Sequence, residues 1–311
     1  MTFRAAVAAA TAAAFIFLPR VVQAQAFTPP QGVGSYTFAW QYVDNTGHRL
    51  TDGFLREAGQ SVTTSLLNEI EYGVTDRLAV TAGIPFVFAK YSGALPPPSG
   101  LPVDECQCWH SSFQDFGFAV RYRFGDDFWA VTPTVRYDLP SHGYPYQGEA
   151  VVGKRLNELL VGLSVGRRLV SILPKTSVQA SYTYAIVEQP LPDIPLNRSN
   201  AFFDIGYPLT RSLYIRGNAS WQRTHGGLQA GSVTGDPFPL PGELNTPERQ
   251  AQRDRLIRSN YWHAGGGMSY SFRSFDLFAS FEKYVWGRDT HNGAAYTVGS
   301  TWYLAFPKAN P

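Results

Sequence analysis

The sequence predicts an all-β protein, and three observations lead to this prediction. Apolar and polar residues alternate through about twelve segments of the chain. Charged residues make up only 16% of the sequence, whereas aromatic residues make up 14%. Short and long connections alternate from one segment to the next. Together these features are typical of a transmembrane antiparallel β-barrel of about 12 strands, with short periplasmic turns and long extracellular loops.

The composition also argues against other classes of protein. A soluble domain typically has about 25% charged residues, well above the fraction found here. Beyond the N-terminus, no stretch is apolar enough for a membrane helix. The formal net charge is +2, and the basic residues form no stripe, so we expect no nucleic-acid partner. The cysteine count of two suits an oxidising compartment.

The N-terminus has the organisation of a secretory signal peptide. A positively charged start is followed by an apolar run over 5–18, which is too short for a spanning helix. Ala24 and Ala26 offer the small residues that a signal peptidase reads. We therefore expect a signal peptide over 1–24, with cleavage near Ala24 or Ala26, and one barrel domain over 27–311. The alternative is an N-terminal membrane anchor.

The hairpin predicted over 199–227 shows the alternation most clearly. In its first strand Phe203 and Ile205 lie on one face, and Asp204 lies on the other. A short turn at 210–212 reverses the chain, and the second strand repeats the pattern. Because successive strand side chains point to opposite faces, the sheet has one apolar and one polar face. We expect the apolar face to contact lipid and the polar face to line the lumen.

The other segments follow the same rule, apart from the eleventh, whose pattern is mixed. In chain order, the predicted strands are 35–42, 61–74, 78–88, 115–124, 129–138, 159–167, 175–186, the two strands of the hairpin, 261–272, 275–286 and 295–306. Their outward alternation rests on Tyr36 and Phe38, Val62 and Leu66, Val80 and Phe86, Phe118 and Val120, Val131 and Val135, Leu163 and Val165, Tyr182 and Ile186, Phe203 and Ile205, Ile215 and Trp221, Met268 and Tyr270, and Val298 and Trp302. Most of these segments are near the 9–11 residues that a tilted strand needs to cross a bilayer.

The lengths of the connections predict the orientation of the barrel. Connections after even-numbered strands are short, and those after odd-numbered strands are mostly long and rich in Pro, Gly and polar residues. An even number of strands returns both termini to the periplasm. Aromatic residues near the strand ends favour the headgroup level of a membrane. The predicted location is therefore the bacterial outer membrane, with outer-membrane lipid and the barrel assembly machinery as partners.

Charges of both signs lie on the predicted inward face. One interpretation is a network of salt bridges that stabilises a narrow barrel. The other is a solute path lined by opposed charges, as in selectivity filters. The candidate lumen-lining residues are Glu69, Glu71, Arg121, Arg123, Arg136, Asp204, Arg216, Asn218, Gln222 and Glu282.

The third loop has an unusual cluster of polar and sulfur-containing residues. It comprises Asp104, Glu105, Cys106, Cys108 and His110. Thiolate and imidazole are good ligands for soft metals, so Cys106, Cys108 and His110 are weak candidates for a metal site. A local disulfide, or pairing of the thiols elsewhere, is the alternative outside the cytoplasm. No cofactor is expected.

Three other features invite a chemical interpretation. His110 and Ser112 invite a comparison with outer-membrane lipases, although the sequence supplies no third group to orient the histidine. His225 and His263 fall at the loop-side ends of neighbouring strands, where they face one another or are ordinary rim histidines. The stretch 148–154 resembles a phosphate-binding loop but lacks its final Ser or Thr and its strand–loop–helix context, so we reject it.

A short helix is predicted in the longest loop, 228–258. Thr246 is a suitable N-cap, and Pro247 occupies the first helical position. This helix either folds into the lumen as a plug or remains outside as a solvated flap. The two alternatives differ in whether the barrel is open.

Three stretches resemble the outer-membrane barrel family named after the MetA pathway of phenol degradation. They are DFGFAVRYRF at 115–124, DIGYPLTRSLYIRGNASWQRTHGG at 204–227 and TVGSTWYLAF at 297–306. The resemblance implies a barrel that passes small, aromatic compounds. One departure is the C-terminus, where Phe306 is followed by PKANP, whereas barrel proteins often end on an aromatic residue.

The sequence therefore favours a porin-like channel or transporter for passive passage of small, aromatic or hydrophobic solutes, rather than an enzyme. The alternatives are an outer-membrane lipid hydrolase that uses His110 and Ser112, and a structural or metal-binding barrel. The solute and the oligomeric state do not follow from the sequence.

Overall fold

The structure, a computed structural model, describes residues 26–57, 59–93, 106–169, 176–231 and 246–305. The predicted signal peptide, Asp104, Glu105 and the C-terminal stretch from Phe306 lie outside these residues. The described chain forms one sheet and two short helices, α1 (Pro247–Ala251) and α2 (Arg253–Leu256). The strands are β1 (Val33–Arg49), β2 (Leu55–Arg56), β3 (Gln60–Gly73), β4 (Leu78–Gly83), β5 (Phe86–Ser92), β6 (His110–Phe113), β7 (Asp115–Tyr122), β8 (Phe124–Gly125), β9 (Trp129–Pro140), β10 (Glu158–Leu169), β11 (Thr176–Val187), β12 (Leu196–Pro208), β13 (Leu213–Gly226), β14 (Asn260–Ser271), β15 (Phe275–Arg288) and β16 (Thr290–Ala305).

The sheet closes on itself through antiparallel pairing of β1 with both β16 and β3. Around the wall, β4 continues into β5, and β6 continues into β7, so each of these pairs fills one strand position. The two-residue strands β2 and β8 extend neighbouring pairings at the rims. The result is the twelve-stranded antiparallel barrel that the sequence predicts. No helix in the described ranges is long and apolar enough to cross a membrane.

The break between β4 and β5 differs from the single predicted strand over 78–88. Pro85 has no N–H to donate to the sheet, which disfavours a continuous ladder. Ile84 donates its backbone N–H to the carbonyl of Asn68, and Gln114 donates to the carbonyl of Pro85. The register of the facing pair also shifts by one residue at Gln114. A proline and a one-residue bulge therefore interrupt two neighbouring wall strands at the same level.

The two faces of the wall differ in the way that the alternation predicts. On the outer face Phe118 and Val120 are each 50% exposed, whereas Ala119 between them is buried. On the inner face polar residues such as Thr132 are buried. Large apolar side chains on the exposed side of a closed sheet are characteristic of a wall that faces lipid.

A bulge explains the mixed pattern of β15. Trp262 pairs with Trp286, and His263 pairs with Tyr284, so Val285 is an extra residue on β15. The insertion places both Val285 and Trp286 on the exposed face and reverses the phase of the alternation.

The two rims of the barrel differ in their connections. The turn end carries short connections such as 209–212 and 272–274, together with the first and last described residues. The loop end carries the long connections, including 141–157 and 227–259. One prediction is wrong here: the connection after the eleventh strand is not long, because Asp289 alone links β15 to β16.

Candidate functional site in the barrel interior

The charged residues predicted for the lumen lie on the wall positions that face inward. Five of the ten occupy strands β3, β7, β9 and β12: Glu69, Glu71, Arg121, Arg136 and Asp204. Arg123 lies just beyond the end of β7. The others lie on β13 and β15: Arg216, Asn218, Gln222 and Glu282. Their side chains are buried or half-buried, and several pair with one another.

The turn-end half of the interior contains two ion pairs. Arg121 on β7 pairs with Glu71 on β3. On the opposite wall Arg216 binds Asp204 with two nitrogens, at 2.7 Å and 3.1 Å. Gln179 donates to the same carboxylate at 3.3 Å. A bidentate arginine–carboxylate pair holds both side chains in one geometry.

A cavity adjoins the Asp204–Arg216 pair. Asn218, which donates to Glu282, lines it beside Thr297 and Thr301. The Phe278 ring forms part of the same lining. The cavity therefore combines one charged pair, several neutral hydrogen-bonding groups and an aromatic face.

A second charged group lies nearer the loop end. Arg136 binds Asp138 on its own strand, with a shortest distance of 2.7 Å. The guanidinium occupies the space beside Gly117, where any Cβ would overlap it. Glu158 on β10 pairs with Arg198 on β12, and both are buried. Sequence reasoning missed this last pair, although both residues fall at the polar starts of their strands.

The remaining predicted residues have separate places. Arg123 lies at the turn end, 3.5 Å from Asp127, where it also donates to the carbonyl of Asp76. Glu69 is half-buried on β3, opposite Thr37. Gln222 donates to the carbonyl of Ser259 and so supports the base of the longest loop.

The described part of the longest loop packs into the interior at the loop end. Its residues Leu228 and Leu256 are almost completely buried and form one hydrophobic cluster with inward-facing wall residues. The wall and loop members are Leu156, Leu160, Ala185, Val187, Ile194 and Leu196. We call Leu228, Leu256 and these partners the loop-end plug. Of the two alternatives for this loop, the described part has the inward fold.

The predicted helix begins as expected, because Thr246 accepts a hydrogen bond from the Arg249 N–H at 3.3 Å. Polar contacts then tie α1 and α2 to the loop 141–157. Gln147 donates to the Ala251 carbonyl at 2.7 Å. Arg255 donates to the Lys154 carbonyl at 2.8 Å.

Lys154 is a third tie between the two loops. Its Nζ donates to the Ile257 carbonyl at 2.7 Å. Burial lowers the pKa of Lys154 to about 7, assisted by Arg198 and Arg255 and opposed by Glu158 and Asp254. Protonation of this lysine therefore works against the closed arrangement of the loops.

Asp289 joins three connections at the loop end. It is fully buried, and its carboxylate accepts hydrogen bonds from Thr51, from the Ala230 N–H at 2.8 Å and from Arg258 at 2.6 Å. Its φ of 52° is one that Asp tolerates better than most residues. The single-residue turn between β15 and β16 thus anchors the first and the longest loops.

The turn end is crossed by the segment 26–32, which we call the strap. The Ala26 carbonyl accepts a hydrogen bond from Thr132 on β9 at 2.6 Å, and both residues are buried. The Gln31 N–H donates to Asp76 at 2.9 Å, near β3. A Cβ at Gly166 would lie 2.6 Å from the Ala26 Cβ, so this glycine makes room for the strap.

The strap therefore crosses the turn end of the barrel from β1, past the turn between β3 and β4, to β9 and β10. It covers part of the opening of the barrel at that end. The alternation of apolar and polar residues could not predict the strap, because residues 26–32 belong to no strand.

The cysteine cluster has the local disulfide that the sequence allowed. The bond joins Cys106 and Cys108, and His110 Nε2 lies 3.5 Å and 3.7 Å from the two sulfurs. The three side chains are thus close enough to share one ion. As a disulfide the sulfurs are not thiolates, and the thiolate is the form that binds metal.

The structure corrects the predicted partnership of His110 with Ser112. Ser112 lies 3.0 Å from Nε2 of His142 instead, and Nδ1 of His142 lies 2.8 Å from Ser141. His142 sits in a loop beyond β9, so no spacing in the sequence connects it with Ser112.

The two histidines at the loop-side strand ends do not face one another. His225 is on the outer face and contacts Ser199 at 2.7 Å, whereas His263 is buried on the inner face.

No protein family and no curated protein matches the sequence. The fold is similar to that of an outer membrane channel from Pseudomonas putida F1, with a TM-score of 0.67 and 12% identity over 91% of this chain and 100% of that chain. The NanC porin matches with a TM-score of 0.49 and 9% identity over 86% and 100% of the two chains. The translocator domain of the autotransporter NalP from Neisseria meningitidis matches with a TM-score of 0.49 and 12% identity over 88% and 89%. At 12% identity the likeness to the Pseudomonas putida channel shows the outer-membrane barrel fold alone. The phenol-degradation family is not confirmed.

Proposed function

We propose that this protein is an outer-membrane channel for the passive passage of small molecules. In this proposal the loop end faces the outside of the cell and the turn end faces the periplasm. The similarity to the outer-membrane barrel fold supports the location. The uneven lengths of the connections support the orientation, because outer-membrane barrels have short periplasmic turns and longer extracellular loops.

The observation that carries the proposal is the internal cavity beside the Asp204–Arg216 pair. Asp204, Arg216 and Asn218 line it together with Thr297 and Thr301. A barrel that served only as a membrane anchor would have no need of an internal cavity. Paired charges of both signs leave the path without a strong barrier for either sign of solute.

We further propose that the solutes are small aromatic compounds. Sites for small molecules combine an apolar or aromatic lining with a few polar groups. Phe278 offers a ring face for stacking, beside the hydrogen-bonding groups of Asn218 and Ser280. A phenol-like solute, with one apolar face and one polar group, is complementary to this lining.

Conductance of the purified barrel in planar bilayers tests the channel, and swelling of liposomes in candidate solutes tests the solute class. We expect Phe278→Ala to slow swelling in an aromatic solute while leaving swelling in a small sugar unchanged. Phe281→Ala is the matched control, since Phe281 is exposed on the outer face of the same strand. A folded barrel without conductance and without swelling in any solute would contradict the proposal.

The contact between Ser112 and His142 favours a second candidate, an esterase that acts on lipid. The serine hydroxyl and the imidazole are within hydrogen-bonding distance, and Ser141 can orient the ring. Hydrolysis of a lipid ester that disappears in both Ser112→Ala and His142→Ala would support it. Equal activity of the wild type and the two variants would remove this candidate.

A further inference from the structure

A row of tryptophans crosses three neighbouring strands on the outer face. Trp221 on β13 pairs with Trp262 on β14, which pairs with Trp286 on β15. Trp262 and Trp286 are 46% and 55% exposed. Because the indole favours the boundary between hydrocarbon and headgroups, this row defines where the membrane ends toward the loop end.

The opposite boundary lies at the other end of the same strand. Phe275 on β15 stacks between Phe272 and Trp302, with ring centroids 4.6 Å apart in each case. The eleven steps from Phe275 to Trp286 span about 36 Å along the strand, or about 26 Å at a tilt of about 45°. This height agrees with the apolar band of about 25 Å in outer-membrane barrels.

Two arginines lie directly beyond the tryptophan row. Arg288 pairs with Asn260, so it occupies the next outward position beyond Trp286 on β15. Arg223 holds the equivalent position beyond Trp221 on β13, where it pairs with Ser199. The guanidinium of Arg288 lies 6.0 Å from the ring centroid of Trp286. With one strand between them, the two backbones are about 10 Å apart.

The charge of these arginines is not neutralised within the described part of the protein. Neither forms an ion pair with a described carboxylate, and both are exposed. Lys283 adds a third cation on the outer face of β15, two paired positions inside the tryptophan row. Its long side chain can extend along the wall toward the headgroups. Three cations without a carboxylate partner among the described residues therefore lie close to the membrane boundary on β13 and β15.

We propose that Arg223 and Arg288, with Lys283, bind the phosphate groups of lipopolysaccharide in the outer leaflet. The outer leaflet of a bacterial outer membrane presents phosphorylated glycolipid at this level, so the charges are complementary. Guanidinium binds phosphate through two parallel hydrogen bonds, and the tryptophans lie beside the sugars and upper acyl chains. This inference rests on the proposed outer-membrane location and orientation, but not on passage of any solute.

The test uses the full-length barrel in detergent with purified lipopolysaccharide, and binding is measured by native mass spectrometry and by titration. Each arginine near an anionic surface contributes about a fivefold gain in affinity, so we expect Arg223→Gln with Arg288→Gln to weaken binding about 25-fold. High salt should weaken wild-type binding in the same direction. Arg223→Lys with Arg288→Lys should restore much of the affinity.

The matched control is Arg167→Gln, because Arg167 is exposed on the outer face of β10 near the turn end, where it pairs with Trp129. This variant should bind lipopolysaccharide like the wild type. Heat-dependent gel mobility shows that each variant is folded. Unchanged binding by the folded double glutamine variant, or equal binding of dephosphorylated lipopolysaccharide, would overturn the inference. Cell fractionation keeps the two proposals apart, since a wild-type barrel absent from the outer membrane contradicts the proposed function itself.

Discussion

At the loop end the interior contains a packed apolar cluster beside its charged residues, whereas the turn end is crossed by a few residues of extended chain. Leu228 and Leu256 are held by apolar contacts with the wall. The strap is held by hydrogen bonds such as the one between Thr132 and Ala26. Truncating a buried leucine costs about 2–5 kcal/mol, and a single hydrogen bond contributes about 1 kcal/mol. The comparison teaches that the turn end is the easier of the two closures to displace.

Removal of the loop-end plug should have the largest effect. Replacing residues 229–257 by a short Gly-Ser linker takes away Leu256 and the Ile257 contact with Leu228. We expect conductance in planar bilayers to rise several-fold, because the interior at that end is then open to water. A deletion variant that is folded but conducts like the wild type would show that the plug is not the main barrier.

Breaking the Asp289 anchor should have the next largest effect. Asp289→Ala leaves the Arg258 guanidinium without its partner and should cost about 3 kcal/mol in the local stability of the loops. The readout is faster trypsin cleavage in 253–258. Asp193→Ala is the control, because its ion pair with Arg249 is more exposed and such pairs contribute about 1 kcal/mol or less. Equal cleavage rates in the two variants would argue against Asp289 as the anchor.

Displacing the strap should have a smaller effect. Gly166→Ala places a Cβ against Ala26, and overpacking of this kind costs about 1–3 kcal/mol. We expect more frequent openings in single-channel recordings, with the wild-type open conductance retained. Gly217→Ala is the control, since its Cβ would meet only Ile205, at 3.5 Å. An unaltered gating pattern in Gly166→Ala would mean that the strap does not limit passage.

The smallest effect should come from pH. Lys154 has a pKa of about 7 in the folded protein against 10.5 for an unperturbed lysine, so the unfolded or open state binds its proton more tightly. Protonation of Lys154 imposes a free-energy cost on the closed arrangement of the loops. This cost is absent above pH 10.5, grows as the pH falls, and is complete below about pH 7. Open probability should therefore be higher at pH 6 than at pH 9. Lys154→Met should show a weaker pH dependence, and an identical profile in this variant would count against the role of the lysine.

Much of the wall could be predicted from the sequence, because side chains alternate with a period of two and polar residues avoid lipid. The positions of Asp204 and Arg216 on the inner face follow from that rule alone. The alternation rule failed at the bulge at Val285, because one extra residue reverses the phase of the alternation. The end of β15 could therefore not be predicted from the pattern. The turn at Asp289 was missed for the same reason.

The two closures of the barrel could not be predicted in the same way. The strap, the loop-end plug and the Ser112–His142 contact each depend on at least one residue that lies outside the strands. The hydrogen bond between Ala26 and Thr132 joins residues 106 positions apart, and nothing local in either sequence indicates the other. The helix that begins after Thr246 could be predicted from its N-cap residue. The direction in which its loop folds could not be predicted, because it depends on tertiary packing.

The anchor at Asp289 has a consequence for how the cell surface is presented to other molecules. Thr51, Ala230 and Arg258 come from distant parts of the chain, yet one carboxylate fixes all of them. If the loop end faces outward, an antibody or a phage meets a composite epitope rather than a set of independent peptides. Antisera raised against a linear loop peptide should recognise the denatured chain better than the intact cell.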